Sequence, residues 1–300
     1  MEIYQLKYFI AAVSAGSFKL AAENSQVAQS SLSKAIKRLE QEIGGALFVR
    51  TNRSVTLTPL GKHIYPEATR ILNDCNRLKR QVTEVKGLRN KSITVGVIPT
   101  IAPFFLSTVV SRFVELYPAL DLNIREGLAT TLLKCASNCE TDIALLGQTV
   151  SNHGLESEVL FTEELFLAVP SKHPLALKPN ILAADLVNEK FICLEAGHCL
   201  GDQIMGFCER NGLALQTVLK SSQLATVQAL VMAGLGIALV PRMAKISGQT
   251  VLVYRSLEKP KPMRTIVAAW RKSREHSEAA TEFLKHLRQA ANAYRTDNQG

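Results

Sequence analysis

The chain has 300 residues, of which 47% are hydrophobic and 20% are charged, and its formal net charge is +9. This composition excludes a chain that is mainly disordered, and no apolar run reaches the roughly 18 residues of a membrane span. Six cysteines are too few for a disulfide scaffold, and the first residues show no signal-peptide pattern. We therefore expect a cytoplasmic protein of two or three domains without membrane contact.

The positive charge is concentrated near the N-terminus. Residues 1–90 hold 14 Lys and Arg against 7 Asp and Glu, whereas residues 91–300 hold 21 against 19. A basic segment followed by a nearly neutral one is typical of a nucleic-acid-binding module joined to another domain. A basic surface without a partner fits the same numbers, because surface charge is screened by salt.

Three helices are predicted at the start of the chain. Apolar residues at helical spacing predict a first helix that ends before Gly16, and Ser17 is a suitable cap for the second. A third helix is predicted up to Gly44, with one apolar face and one polar, basic face. The polar, basic face carries Gln29, Ser30, Ser31, Ser33, Lys34 and Lys37.

A short helix, a tight turn and a helix with such a face form the plan of a helix-turn-helix, whose later helix lies in the major groove of double-stranded DNA. We expect Gln29, Ser30 and Ser31 to contact base edges. Lys34 and Lys37 are expected to contact phosphates. The alternative is a solvated face on a small helical domain.

The next segment, LFVRTNRSVTLT, predicts a two-stranded hairpin. Such a wing follows the DNA backbone or enters the minor groove. Arg50 and Arg53 lie on this hairpin and are therefore added to the predicted DNA-binding residues.

A long helix is predicted from 59 to 88, because Thr58 and Pro59 form a helix start. Pro66 lies inside it and is expected to kink its first turns. At about 45 Å it is longer than the preceding module covers, so we expect it to pair two chains. Apolar residues alternate spacings of 4 and 3, as in helices packed on a partner, and this seam comprises Ile64, Ala68, Ile71, Cys75, Leu78, Val82 and Val85.

After Gly87 short apolar strands alternate with helices, which predicts an α/β domain with mostly parallel, buried strands. Binding sites in such domains lie at the carboxyl ends of strands and at domain boundaries. The predicted strands are ITVGVIP, LNIRE, DIALLG, LFLAVP, FICLE, GIALVP and TIVAAW.

Cys199 follows the strand FICLE and His198, where a helix from 200 to 210 is expected to begin. A helix N-terminus and an imidazole both lower the pKa of a thiol, which makes Cys199 a candidate peroxide sensor that passes through sulfenic acid. If Cys208 shares this helix, the two Cα atoms lie about 13 Å apart. A disulfide needs roughly 4.4–6.8 Å, so a bond would require the segment to unwind. Two inert cysteines are the alternative from spacing alone.

The other four cysteines are interpreted as packed apolar residues. Cys135 and Cys139 are four residues apart on a predicted helix, but no further ligands stand at zinc-site spacing. We therefore expect no metal and no cofactor.

The segment from Leu6 to Lys62, LKYFIAAVSAGSFKLAAENSQVAQSSLSKAIKRLEQEIGGALFVRTNRSVTLTPLGK, resembles the winged helix-turn-helix of LysR-type transcriptional regulators. One departure is Ala28, where the family usually has a serine that caps the recognition helix. Losing such a cap costs about 1 kcal/mol.

This resemblance implies a winged helix-turn-helix over 1–58, a linker and dimerisation helix over 59–88, and an effector-sensing domain over 89–300. The α/β effector domain would comprise two periplasmic-binding-protein-like subdomains, 91–161 with 267–300 and 162–266. The implied protein is a non-enzymatic regulator that binds DNA as a homodimer or homotetramer and works with RNA polymerase.

The segment LEAGHCLGDQIMGFCERNG resembles the redox switch of OxyR, the hydrogen-peroxide-sensing subfamily of this family. The resemblance implies that Cys199 is the peroxidatic cysteine and Cys208 the resolving one. It also implies a supporting peroxide pocket formed by Thr100, His198, Asp202 and Arg264.

Two departures from the subfamily pattern are expected to slow the reaction with peroxide. Ala129 stands where the subfamily usually has a second pocket threonine, for which Thr130 and Thr131 are candidate substitutes. Gly201 stands where it usually has an arginine, which removes a positive charge near the thiol.

Three functions follow from these observations. The first is a regulator that senses hydrogen peroxide through a reversible disulfide between Cys199 and Cys208. The second is a regulator that binds a small-molecule effector in the cleft between the subdomains, for which a response that survives Cys199→Ser would speak. The third is a thiol peroxidase, which leaves the helix-turn-helix without a purpose.

Overall fold

The computed structural model describes residues 1–50, 55–85, 92–150, 154–246, 248, 250–273 and 275–296, and for 50, 76, 77 and 79–85 it describes the backbone alone. The chain divides into two compact units, Met1–Leu88 and Arg89–Gly300. Within the described ranges, no helix combines the length and the apolar composition that crossing a bilayer requires.

The N-terminal unit begins with α1 (Ile3–Ala15), α2 (Phe18–Asn24) and α3 (Gln29–Ile43). Gly16 ends α1 in the left-handed conformation (φ 62°), which glycine adopts without the clash that a Cβ atom would cause. The hydroxyl of Ser17 accepts a hydrogen bond from the backbone of α2. These three helices and both of these caps confirm the sequence prediction.

The predicted wing is an antiparallel pair, β1 (Phe48–Arg50) and β2 (Val55–Leu57). The carboxylate of Glu40 on α3 accepts a hydrogen bond of 2.8 Å from the backbone N–H of Leu47. The wing is therefore fixed to the end of α3.

The long helix, α4 (Pro59–Val85), begins at the predicted residue and contains Pro66. Oγ1 of Thr58 accepts a hydrogen bond of 2.9 Å from the N–H of Gly61, which caps the first turn. Residues 86–88 of the predicted helix lie outside the described residues.

Apolar side chains from these helices and from β1 form one core in the N-terminal unit. The rings of Phe9 and Phe48 meet edge to face with centroids 5.4 Å apart, and Phe18 contacts Phe48 in the same way. Burying each such side chain stabilises the unit by about 1.5–3 kcal/mol.

The C-terminal unit is a mixed α/β structure with an additional π-helical turn at Ala102–Leu106. Its strands are β3 (Ser92–Val97), β4 (Asp121–Glu126), β5 (Ile143–Leu146), β6 (Leu155–Pro170), β7 (Lys190–Leu194), β8 (Gln216–Ser221), β9 (Ala238–Pro241), β10 (Leu252–Arg255) and β11 (Met263–Arg271). Its α-helices are α5 (Ser107–Leu116), α6 (Ala129–Ser137), α7 (Pro174–Leu177), α8 (Cys199–Arg210), α9 (Leu224–Met232) and α10 (Glu278–Thr296).

The expectation of mostly parallel strands is wrong. β3 pairs in parallel with β4 and β5, and β7 pairs in parallel with β8. However, the long strand β6 runs antiparallel to β9, β10 and β11, and β11 is also antiparallel to β5. β6 and β11 run in opposite directions through the same sheet, so they form an antiparallel pair with each other.

Two hydrophobic cores lie within the C-terminal unit. The first core takes its buried residues from 93–161 and 266–291, together with Cys199, and the second core takes them from 165–257. β6 passes from one to the other. Cys199 belongs to the first core, although its helix neighbour Leu200 belongs to the second.

Candidate functional site

The polar, basic face of α3 is the candidate DNA-binding surface. Leu32, Ile36 and Leu39 are buried in the core of the N-terminal unit, so the opposite face points to solvent. Ala28 precedes this helix without a side-chain cap, as its methyl group dictates. Of the predicted DNA-binding residues on α3, the exposed ones are Gln29, Ser30, Ser31, Lys34 and Lys37, and Ser33 is half-buried.

Sequence reasoning missed Arg38, which is also exposed on α3. Its position directly after Lys37, in a helix with a basic face, is the signal that would have found it. The side chain of Arg50 and all of Arg53 lie outside the described residues.

The exposed side of α4 carries part of the predicted dimerisation seam. Ile71 is 40% exposed and Leu78 is 61% exposed, while Cys75 is half-buried. Large apolar side chains exposed along one helix indicate a surface that another helix covers. The side chains of Val82 and Val85 lie outside the described part of the chain.

The prediction is wrong for Ala68. This residue is 1% exposed and packs into the core of its own unit, and Ile64 packs partly against the same core. The first turns of α4 therefore complete the helix-turn-helix rather than a surface for a second chain.

The helix α8 begins at Cys199, one residue before the predicted start at 200, and His198 directly precedes it. The thiol is 6% exposed. Burial raises the pKa of Cys199 more than the backbone N–H groups of Gly147 and Leu200 and the charge of Arg264 lower it. The expectation of a lowered thiol pKa is therefore wrong.

The charge of Arg264 is largely cancelled where it lies. Its Nε forms an ion pair of 2.7 Å with Glu163, and both side chains are fully buried. Its Nη1 donates to Oγ1 of Thr100 over 3.1 Å, and its Nη2 donates to the carbonyl of Thr100 over 3.2 Å. Arg264 thus orients Thr100, and its paired charge favours the Cys199 thiolate only weakly.

A small cavity lies beside the thiol, with a volume of about 10 Å³. This volume is enough for about one water molecule. Thr100, His198 and Ala129 line it, whereas Asp202 is exposed and is not among its lining residues. The cavity is lined by Ile98, Pro99, Thr100, Leu128, Ala129, Gly197, His198, Cys199 and Leu200.

The two departures from the subfamily pattern differ in their surroundings. Ala129 is buried at the start of α6 and lines the small cavity, so a methyl group replaces a hydroxyl there. Thr130 and Thr131 are exposed and do not take its place. Gly201 is buried against the end of β7, where an added Cβ would lie 3.4 Å from the carbonyl of Leu194.

Cys208 lies on the same helix as Cys199, so the predicted helical separation of about 13 Å holds. It is fully buried in the second core, and burial raises its pKa to about 11. Cys135 and Cys193 are also buried, and all six cysteines are free. Cys139 is buried too, but it lies beyond α6 with φ 57° rather than on the helix.

A larger cavity of about 890 Å³ shares His198 with the small one. Its walls are mostly apolar and include Phe104, Val110 and Leu224, with Glu126 as the acidic residue in its lining. This volume suits a small organic molecule. In the part of the chain that the structure describes, no cluster of three or more metal-ligating side chains is present.

Comparison with known families accounts for both units. The chain matches the family described as "Bacterial regulatory helix-turn-helix protein, lysR family" over residues 3–62 and "LysR substrate binding domain" over residues 86–292. The chain belongs to the LysR family. It is a LysR-type, DNA-binding transcriptional regulator.

Two curated relatives of this LysR-type regulator are transcriptional dual regulators. It is 32% identical over 276 residues to the DNA-binding transcriptional dual regulator OxyR of Escherichia coli K12, and the match covers 90% of each chain. It is 30% identical over 289 residues to the transcriptional dual regulator GltC of Bacillus subtilis, with 96% of each chain covered.

A solved structure of a full-length OxyR from Pseudomonas aeruginosa is also similar to this LysR-type regulator. The TM-score is 0.74 at 26% identity, with 97% of this chain and 95% of that chain covered. The predicted fold class, a winged helix-turn-helix with a periplasmic-binding-protein-like effector domain of two subdomains, is confirmed.

Proposed function

We propose that this LysR-type regulator senses hydrogen peroxide through a reversible disulfide between Cys199 and Cys208. The observation that carries the proposal is the position of the Cys199 thiol: it lies beside a cavity for one small molecule, at the start of the helix that contains Cys208. The similarity to OxyR over most of the chain supports it.

The proposed chemistry has two steps. In the first, the thiolate of Cys199 attacks one oxygen of hydrogen peroxide, the O–O bond breaks, and the departing hydroxide takes a proton to become water. In the second, the thiolate of Cys208 attacks the sulfenic acid sulfur, the S–S bond forms, and a second water leaves. One peroxide molecule is reduced while two thiols are oxidised.

Thr100 and His198 are the residues with hydrogen-bonding side chains that line the small cavity beside Cys199. Arg264 holds Thr100 in place through two hydrogen bonds. We assign Thr100 and His198 to binding the peroxide, and Arg264 to orienting Thr100. Asp202 is assigned a weaker role, because it is exposed and its charge raises the pKa of Cys199.

DNA contacts are proposed for the N-terminal unit. Exposed residues of α3 would contact base edges, and the basic side chains there would contact phosphates. The exposed seam of α4 would pair two chains in the cytoplasm. Disulfide formation would change how the effector domains pair with each other. That change would alter the spacing of the DNA sites that the regulator contacts, and so its work with RNA polymerase. The proposed domains are the DNA-binding domain 1–58, the linker helix 59–88 and the effector-sensing domain 89–300. The two proposed subdomains of the effector domain are 91–161 with 267–300, and 162–266.

The large cavity favours a second candidate function, in which a small organic effector regulates DNA binding without redox chemistry. Transcript profiling of cells that carry the wild-type chain or Cys199→Ser, Cys208→Ser or Cys193→Ser, before and after peroxide, separates the two. We expect the first two substitutions to abolish the response and Cys193→Ser, a buried thiol on β7, to preserve it. A response that survives Cys199→Ser would contradict peroxide sensing and leave the effector function.

A further inference from the structure

The backbone N–H and the backbone carbonyl of Gly147 each lie next to a side chain of α8. Gly147 directly follows β5 and is buried. Its backbone N–H lies close enough to the sulfur of Cys199 to lower the pKa of that thiol, and its carbonyl accepts a hydrogen bond of 2.5 Å from Nε2 of Gln203. The two side chains stand four residues apart, on one face of the helix, so a single peptide holds the first turn of α8.

A side chain at Gly147 would require its neighbours to move. A Cβ atom built at this position would lie 3.2 Å from Sγ of Cys199 and 3.2 Å from Cδ1 of Ile98. Both distances are shorter than ordinary van der Waals contact. The absence of a side chain at this position is therefore what lets the backbone approach the sulfur.

Only one of the two polar atoms of the Gln203 amide forms a hydrogen bond within the described residues. Nε2 bonds to Gly147, but Oε1 is buried and has no hydrogen-bond partner among the described residues. A buried acceptor without a partner destabilises the arrangement that contains it. This cost exists while α8 is helical and disappears when the segment unwinds into water.

The contacts at Gly147 join the two cores. Cys199 packs in the first core, whereas Leu200 and Ile204 of the same helix pack in the second. Gly147 follows a strand of the first core, so its bond to Gln203 ties the helix to that core at a second point.

We propose that Gln203 is a positioning residue which, with the Gly147 peptide, forms a latch that keeps α8 helical until Cys199 is oxidised. This rests on the proposed peroxide-sensing function. Sulfenic acid places an additional oxygen on a sulfur whose surroundings have room for about one small molecule, so the contact of that sulfur with the Gly147 N–H changes. The hydrogen bond from Gln203 to the Gly147 carbonyl then still keeps the first turn of α8 in place. When this bond breaks, α8 unwinds and Cys208 approaches Cys199.

The latch is tested by Gln203→Leu in the full-length chain, with two measurements. In reduced protein, labelling of Cys208 by 4,4′-dithiodipyridine is expected to become about tenfold faster, because α8 opens more often. After a peroxide pulse, the disulfide is expected to close about tenfold faster. The control is Gln228→Leu, which removes amide hydrogen bonds of 2.8 Å to the carbonyl of Ala244 and to the hydroxyl of Tyr254 elsewhere in the unit and should leave both rates unchanged.

A second variant, Gln203→Glu, distinguishes a positioning role of residue 203 from a general loss of folding. At pH 7.5 its carboxylate faces the Gly147 carbonyl and labelling of Cys208 should be fast. At pH 5 the protonated carboxyl donates a hydrogen bond again, so the ratio of the variant's labelling rate to the wild-type rate, both measured at pH 5 because every thiol is less ionised there, should fall toward one. A purely structural defect would not reverse with pH.

The latch and the peroxide function fail in different ways. Unchanged labelling of Cys208 in Gln203→Leu would overturn the latch, even if the wild-type chain forms the disulfide. A wild-type chain that forms no disulfide while Gln203→Leu speeds labelling would overturn peroxide sensing and keep the latch.

Discussion

At the scale of single residues, opposing effects set the reactivity of Cys199. Two backbone N–H groups and the buried Arg264 favour the thiolate, but Arg264 is paired with Glu163 and the sulfur has little access to water. Burial prevails and raises the pKa of Cys199 above its ordinary value, which lowers the fraction of reactive thiolate at neutral pH.

This balance predicts how the first oxidation step depends on pH. The pKa of Cys199 lies above its ordinary value of 9.0, so the thiolate fraction rises about tenfold per pH unit from pH 6 to pH 8. The rate of sulfenic acid formation, measured in Cys208→Ser to block the second step, should rise in the same proportion. A rate that is constant over this range would mean that the thiolate is already formed, and would contradict the account.

The second residue-scale prediction concerns Ala129. Ala129→Ser adds one hydroxyl to the lining of the small cavity. One neutral hydrogen bond to peroxide contributes about 0.5–1.5 kcal/mol, so the rate constant for oxidation of Cys199 should rise roughly 2- to 10-fold. Stopped-flow measurement of thiol loss checks this, with Thr130→Ala as an exposed control that should change nothing. A slower reaction in Ala129→Ser would remove Ala129 from the peroxide site.

At the scale of elements, α8 is a helix that is weak by composition. It carries Gly201 and Gly206 in 12 residues, and each glycine in a helix interior costs about 1 kcal/mol relative to alanine. Joining Cys199 to Cys208 requires α8 to unwind, and these two glycines lower the free energy that unwinding requires.

We therefore predict that Gly206→Ala slows the second step. An added Cβ would meet only the far end of the flexible Arg210 side chain, at 3.3 Å. A helix stabilised by about 1 kcal/mol should close the disulfide roughly fivefold more slowly, while sulfenic acid formation, measured in Cys208→Ser, should not change. Quenched-flow alkylation followed by mass spectrometry measures both steps. An unchanged or faster closure would show that α8 does not have to unwind.

Local residue patterns determine the start of α8, the wing and the caps at Gly16 and Ser17, so these features were predictable from the sequence. The strand β8 and the first half of β6 were not, because many of their side chains are exposed and follow no clear apolar alternation. The raised pKa of Cys199 and the latch at Gly147 were also beyond sequence reasoning. Both depend on groups brought together from distant parts of the chain, and burial has no local sequence signal.

At the scale of the whole molecule, the seam on α4 is proposed to hold two chains together. Leu78→Glu places a charge on its most exposed described position. Burying an unpaired charge in a helix pair is costly, so we predict a dimer dissociation constant at least about 100-fold higher, which corresponds to the loss of a hot-spot side chain. Light scattering after size-exclusion chromatography measures the effect. His63→Glu, exposed on α4 but off the seam, is the control, and equal behaviour of the two variants would contradict the proposed seam.

The division of the molecule into a basic N-terminal unit and a nearly neutral C-terminal unit matches a division of labour between DNA binding and sensing. Mapping of the free thiols by peptide mass spectrometry, before and after one equivalent of hydrogen peroxide, tests the sensing claim most directly. We expect the loss of two thiols as a disulfide between Cys199 and Cys208 that a dithiol reverses, with the other four thiols intact. Six thiols that survive the pulse unchanged would contradict it.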